Sequence, residues 1–214
     1  MLPPADWLFY ETQAQDKGLR FILGLDEAGR GPLAGPVVAA AVALRQFDFK
    51  CSINDSKQMT QRAREIAFLE ISQKAYIGIG MISEKAIDTV NILNASHLAM
   101  EMAAKELIRR LPKETVGHQD FNTQVILLVD GNIFRSQLAY QYKTIVGGDG
   151  KSLSIACASI IAKVYRDRIL CAYDKIYPQY GFARHKGYPT QEHRLAIQKH
   201  GACAIHRRSF AGVL

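Results

Sequence analysis

The sequence predicts an α/β fold, a central five-stranded mixed sheet flanked by helices and followed by a basic helical segment, on three observations. Short apolar runs of strand length recur, as in Phe21 to Leu25 and Val125 to Val129, which suits strands buried on both faces. Both runs end in acids, Asp26-Glu27 and Asp130-Gly131-Asn132, where open α/β sheets place their chemistry. Stretches of helical period lie between and after them. The longest, Leu153 to Ile176, is apolar nearly all round over Ile155 to Ala162, so that half must be buried.

In order, Met1 to Lys17 is a polar lead whose Trp7, Phe9 and Tyr10 are expected to dock a helix on the body. Phe21 to Leu25 is the first strand, with Asp26 and Glu27 at its carboxyl end. Successive strand residues point to opposite faces, so both acids reach one site only if the chain turns at Glu27, and the glycines just after it permit that. Val37 to Val42 is the second strand. Asn54-Asp55-Ser56-Lys57 is a polar loop, and Gln61 to Lys74 an amphipathic helix carrying Ala63, Ile66, Ala67, Leu69 and Ile71. Tyr76 to Ile82 is the third strand. Ser83 and Glu84 open a short helical turn, and a long helix from near Asn94 runs to Leu111, stopped at Pro112, with Met100, Met102 and Leu107 in the core. Gln124 to Asp130 and Gln141 to Val146 are the last strands. Gly147 to Ser152 leads into the long helix, and the loop Gly181 to Pro189 precedes a final helix from Thr190 to about Lys199. This order puts the first strand at the centre, and pairing the fourth beside it brings Asp130 next to Asp26.

At 214 residues and 48% hydrophobic, with no dividing linker, residues 1–214 are expected to form one domain. Cys51, Cys157, Cys171 and Cys203 are too scattered for a zinc knuckle or a disulfide framework, which implies a reducing, cytoplasmic compartment. The first ten residues carry no basic group, unlike a secretory signal, and Gly31 to Leu44 is far too short for a membrane span. A soluble protein without membrane partners is expected. The net charge of +7 lies in one segment: Lys163 to Arg208 holds ten Lys/Arg against three Asp/Glu. Interleaved Tyr165, Tyr173, Tyr177, Tyr180, Phe182 and Tyr188 make it suited to phosphates and sugars, although a solvated helical face gives a similar pattern.

Two familiar motifs fail on context. Gly29-Arg30-Gly31-Pro32-Leu33-Ala34 matches a dinucleotide fingerprint, but Gly35-Pro36 and a second strand follow where a helix is needed. The glycines before Lys151-Ser152 lack the phosphate-loop spacing, because position 145 is not glycine. What remains is Asp26, Glu27, Asp130 and Asp149 converging at one sheet edge. No lysine in these motifs neutralises them all, and divalent cations would remove that cost.

Gly24-Leu25-Asp26-Glu27-Ala28-Gly29-Arg30-Gly31-Pro32, Asn54 to Lys57, Asp130-Gly131-Asn132, Ala158 to Val164 with Arg166-Asp167, and His185-Lys186-Gly187-Tyr188-Pro189-Thr190 occur in order. From about Phe21 to Phe210 the chain resembles the bacterial type 2 ribonucleases H (ribonuclease HII). The resemblance implies a ribonuclease H-like fold and an endonuclease that cuts the RNA strand of RNA/DNA hybrids and ribonucleotides embedded in duplex DNA. It makes Asp26, Glu27, Asp130 and Asp149 the metal-binding and catalytic acids, Gly29-Arg30-Gly31 the junction-sensing turn, Tyr188 the sugar-stacking ring and Lys57 a substrate contact. The family's fourth acid commonly lies in Lys-Gly-Asp-Ser, whereas here it is Gly147-Gly148-Asp149-Gly150, which makes Asp167 a rival. Asp167 lies about 20 Å along the helix at 1.5 Å per residue, where, beside Arg166 and Arg168, it reads more simply as an ion-pair partner.

Oxygen donors suit Mg²⁺ or Mn²⁺, and zinc would want His or Cys. Two such ions support hydrolysis to 5′-phosphate and 3′-hydroxyl ends, with the 2′-hydroxyl read and not used. Three alternatives stand beside this. A metal-free ribonuclease would use paired histidines, and His185, His193, His200 and His206 cluster, although histidines in basic loops more often contact phosphate or lie at the surface. A non-catalytic hybrid-binding protein would not need the acids. A type 3 ribonuclease H resembles this family with a long extra N-terminal domain, and about twenty residues precede the first strand here. The expected partners are hybrid and ribonucleotide-containing duplex, bound by a monomer.

Overall fold

The computed structural model describes residues 5–112 and 121–213, so the first four residues of the N-terminal lead and the last residue of the basic segment lie outside it. After a 3₁₀ turn at Ala5–Leu8 come α1 (Phe9–Asp16), β1 (Phe21–Ala28), β2 (Val37–Leu44), α2 (Gln61–Lys74), β3 (Ala75–Ile82), α3 (Glu84–Val90) and α4 (Ile92–Arg110). Then follow β4 (Val125–Asp130), β5 (Gln141–Ile145), α5 (Leu153–Ile176), α6 (Phe182–His185) and α7 (Gln191–His200). The strands make one mixed sheet in the order β3-β2-β1-β4-β5, antiparallel on the β2 side of β1 and parallel on the β4 side. The first strand is therefore central, as its sequence predicts. Among the described residues no helix is long and apolar enough to cross a membrane.

Strand alternation divides the sheet into two packed layers. Leu23, Leu25, Ala39 and Ala41 face α4 through Ala99, Ala103 and Leu107, whereas Ala40 and Val42 face α2 and α5 through Ile71, Cys157 and Ile161. Each fully buried Leu or Ile here contributes ~1.5–3 kcal/mol over its exposed state. Gly24 lies opposite the first turn of α5, where a Cβ would run into the Ser154 backbone. Its missing side chain lets the N-terminus of α5 rest on β1, and that contact delivers the loop before α5 to the acids. The helices start where short polar side chains cap them: Thr60, Ser83, Asn91, Ser152 and Thr190 each accept an amide of the first turn.

The basic C-terminal segment adds a third core, in which Leu170, Tyr180, Phe182, Ile197 and Ile205 close over Leu33 and Ala34 from the loop after β1. Four expectations need correction. β1 runs to Ala28, so the acids lie inside the strand and the turn comes at Gly29. The Gly181 to Pro189 loop contains α6. Met102 is 47% exposed, because the core face of α4 is set by Ala99, Ala103 and Leu107. The lead docks through Trp7, Leu8 and Tyr10, while Phe9 is exposed.

Candidate active site

The parallel register pairs Leu25 with Val129, so the next residues, Asp26 and Asp130, stand side by side on the α5 face of the sheet. Asp149 reaches them from the 3₁₀ turn Gly148–Gly150, which Asp130 holds in place by accepting the Gly148 amide at 2.7 Å. Oxygens of Asp26, Asp130 and Asp149 lie within 4.8 Å of one another. The turn is fixed from behind by the Glu11 carboxylate, which accepts the Ser152 hydroxyl at 2.6 Å and the Ser154 hydroxyl and amide at 2.7 and 3.0 Å.

Gathering three acids in a buried place is unfavourable, and Asp26 and Asp130 carry the cost in raised pKa values. Burial, then Glu27 and Asp130, push the Asp26 carboxyl well above its usual range, against hydrogen bonds from Ser159 and the Glu27 amide. Burial also raises Asp130, and the neighbouring Asp149 adds to it. One positive charge is supplied by Lys57, whose Nζ lies 2.8 Å from Asp149 Oδ2. Burial alone would lower that ammonium's pKa, but Asp149, Asp26 and Asp55 hold it above the usual lysine value.

Glu27, next along β1, points to the other face and stands outside the three-acid group, its Oε1 3.4 Å from Arg30 Nη1. Burial raises its carboxyl, Arg30 pulls it down and Asp130 pushes it up again, so it still lies in the field of the group. On that side the loop leaving Asp130 and the first turns of α4 border an open pocket of about 400 Å³, lined in part by Asn94, His97, Leu98, Arg135 and Gln137.

The turn at Gly29-Arg30-Gly31 follows directly. Gly29 has φ +103° and the Arg166 side chain fills the place of a Cβ, whereas Gly31 has open space around it. Gly29 is therefore the glycine this fold requires. Tyr188 is 40% exposed, with Lys163 Nζ and Arg166 Cζ 5.5 and 5.9 Å from its ring centre. Its carbonyl is bonded by His193 Nδ1 at 3.0 Å.

The histidine cluster is buried, which corrects the expectation of surface or phosphate contacts for His185, His193 and His206. His206 Nδ1 accepts the Cys203 amide, so its Nε2–H donates to His193 Nε2, and His193 Nδ1–H donates to Tyr188. Burial pushes both rings down to about 4. With both nitrogens engaged inside the fold, these histidines brace the Tyr188 loop and offer no acid–base pair to a substrate. Asp167 bonds Lys163 at 2.7 Å and lies 3.9 Å from Arg64, whereas Arg168 pairs with Glu65 and Arg166 turns to backbone carbonyls. It is an ion-pair partner as expected, with different partners. Sequence reasoning gave no site role to Ser159, Glu11, Arg166 or Arg207. Ser159 and Arg166 lay in the motif Ala158 to Val164 with Arg166-Asp167, whereas Glu11 and Arg207 lay in none.

The family model for ribonuclease HII matches residues 23–213. A ribonuclease HII of Acetivibrio thermocellus is 52% identical over 202 residues, covering 94% of this chain and 73% of its own. Among solved structures, the ribonuclease HII in the PCNA:RNase HII complex from Archaeoglobus fulgidus aligns with a TM-score of 0.69 at 22% identity, covering 89% of this chain and 95% of that one. Bst-RNase HIII in complex with Mn²⁺ aligns at 0.66 and 15% identity, covering 94% of this chain and 70% of that one. Likeness at such low identity concerns the fold, which is ribonuclease H-like.

Proposed function

Since the chain belongs to the ribonuclease HII family, and so is a ribonuclease H endonuclease that works with divalent metal ions, we propose that Asp26, Glu27, Asp130 and Asp149 are its metal-binding and catalytic acids. The observation that carries this is the three-acid group within 4.8 Å, with Glu27 in its field, against one lysine. Its donors are all hard carboxylate oxygens in a place where their charge is raised in cost, which fits Mg²⁺ or Mn²⁺ and not zinc. Bound there, such ions stabilise charge on the phosphoryl oxygens and make water a nucleophile at neutral pH.

The chain's own residues do the rest. Asp130 holds Gly148, and through it Asp149, at a fixed distance from Asp26. Lys57, 74% exposed at its side chain and anchored on Asp149, presents its ammonium to an entering phosphate. Gly29, Arg30 and Gly31 bring main-chain groups to the sugar, and Tyr188 offers its exposed ring for stacking on the neighbouring one. The substrates are RNA/DNA hybrid and duplex DNA with embedded ribonucleotides, cut to 5′-phosphate and 3′-hydroxyl ends while the 2′-hydroxyl is read. One chain supplies every residue, which supports action as a single-domain monomer. Four free cysteines support a cytoplasmic location.

The test is digestion of a labelled DNA duplex containing one ribonucleotide, with Mg²⁺, with Mn²⁺ or with chelator. Cleavage with either ion and none with chelator is expected. Cleavage that survives chelation would refute the assignment of the acids.

A further inference from the structure

Arg166 and Arg207 are both fully buried, yet neither forms an ion pair among the described residues. Burying a guanidinium is costly, and burial depresses Arg166 and brings Arg207 down to about 9. Six main-chain carbonyls compensate. Arg207 donates through Nη2 to Gly29 at 2.6 Å, through Nη1 to Arg30 at 3.1 Å and through Nε to Gly35 at 2.9 Å. Arg166 donates through Nη2 to Ala34 at 2.8 Å, through Nε to Pro36 at 3.0 Å and through Nη1 to Lys186 at 2.9 Å.

Two consequences follow for the turn. A trans peptide directs its carbonyl and the next amide oppositely, so drawing the Gly29 and Arg30 carbonyls inward turns the Arg30 and Gly31 amides outward. Neither amide has a hydrogen-bond partner among the described residues. Arg166 then spans two loops, because Lys186 begins the Gly187-Tyr188 turn while Ala34 and Pro36 belong to the loop after β1. The loops also meet directly: the Leu33 amide donates to the Gly187 carbonyl at 2.8 Å, and a Cβ on Gly187 would strike the Ala34 carbonyl.

We infer that Arg166 and Arg207 are positioning residues for ribose selection: their clamp presents the Arg30 and Gly31 amides to a 2′-hydroxyl at a set distance from the Tyr188 ring. One sugar then meets fixed donors while the next one stacks, which defines a ribose at a particular step of the duplex. This rests on the reading of the turn and of Tyr188 proposed above. A planar fork is needed, since lysine keeps the charge but cannot reach three carbonyls at once. A role in packing alone is the poorer account, because well-packed apolar side chains fill such a place without the desolvation cost.

The test compares Arg166→Lys and Arg207→Lys with wild type. Binding to a duplex with one ribonucleotide and to the same duplex all in DNA is measured with Ca²⁺, and kcat/KM is measured with Mg²⁺ on the first duplex and on a long hybrid. The variants should lose roughly tenfold or more of the binding preference, a part of the roughly 10⁴–10⁵ by which a site built to hydrogen-bond a substrate hydroxyl can discriminate. They should also lose more kcat/KM on the single ribonucleotide than on the hybrid, with Mn²⁺ affinity unchanged. Equal losses on both substrates, a retained preference, or lysine variants that fail to fold would overturn the clamp and make the arginines structural. A wild type with no preference for the ribonucleotide would instead sink the reading of the turn itself.

Discussion

Asp149 Oδ2 meets Lys57 at 2.8 Å beside Asp26 and Asp130, while Asp167, on the same stretch of chain, is held by Lys163 at 2.7 Å. The two acids therefore differ in what their charge is for. On the proposed assignment, replacing Asp149 by Asn removes the charge of a metal-binding carboxylate while keeping the side chain's volume. Turnover should fall by roughly a hundredfold or more, as when a charge-stabilising element is lost from a reacting centre. Stability should hold or rise, since the like charges repel. Asp167→Asn leaves Lys163 and Arg64 without their partner, should cost about 1–3 kcal/mol and should spare turnover. Steady-state cleavage and thermal melting of both variants separate the roles, and a catalytic defect in Asp167→Asn with normal melting would move the fourth acid onto α5.

At the scale of elements, β1 and the turn after it show what the sequence carried and what it did not. The ends of α2 and α5 were legible because capping side chains and apolar period agree there. The pairing of β1 with β4 was legible too, since two apolar runs ending in acids have one natural alignment. The extension of β1 through Ala28 was not: acids and glycine suggest a break, and only pairing with the wholly apolar β2, Asp26 to Ala40 and Ala28 to Val38, carries the strand on. Nor were Arg166 and Arg207, whose partners are backbone carbonyls far away in sequence, a contact that leaves no residue pattern. The buried histidines were misjudged for the same reason. The turn itself yields a prediction, because its two glycines look alike in sequence and differ in place. Gly29→Ala meets both the left-handed φ and the Arg166 side chain, so it should cost about 1–3 kcal/mol as well as activity. Gly31→Ala should melt like wild type and lose only ribonucleotide recognition, and melting curves that failed to separate the two would show that the turn accommodates a Cβ at Gly29 after all.

On the proposed assignment of the acids, metal binding, folding and pH are linked through the same buried groups in the molecule as a whole. An ion that binds only the folded state stabilises it by about 2.7 kcal/mol at a hundred times its dissociation constant, which in a chain of this size raises Tm by roughly 5–10 °C. Asp26 must give up its proton to take part, and its raised pKa means that the folded state keeps that proton to higher pH than the unfolded chain does. The gain in Tm from Mg²⁺ should therefore be largest at neutral pH and above, and shrink on acidification. Asp26 by itself makes the metal-free fold relatively more stable as pH falls. His193 and His206 act in the opposite sense: with folded values of about 4 against an ordinary value of 6.5, the unfolded chain takes the protons first, so stability is lost as pH falls from 6.5 towards 4. Melting measured across that range, with Mg²⁺ or chelator, resolves the two contributions. Asp26→Asn should abolish the Mg²⁺ increment at every pH, melt no lower than metal-free wild type near neutrality, and leave the acid loss due to the histidines intact. An increment that persists in Asp26→Asn, or that grows as the pH is lowered, would mean that the ion binds elsewhere than at these acids.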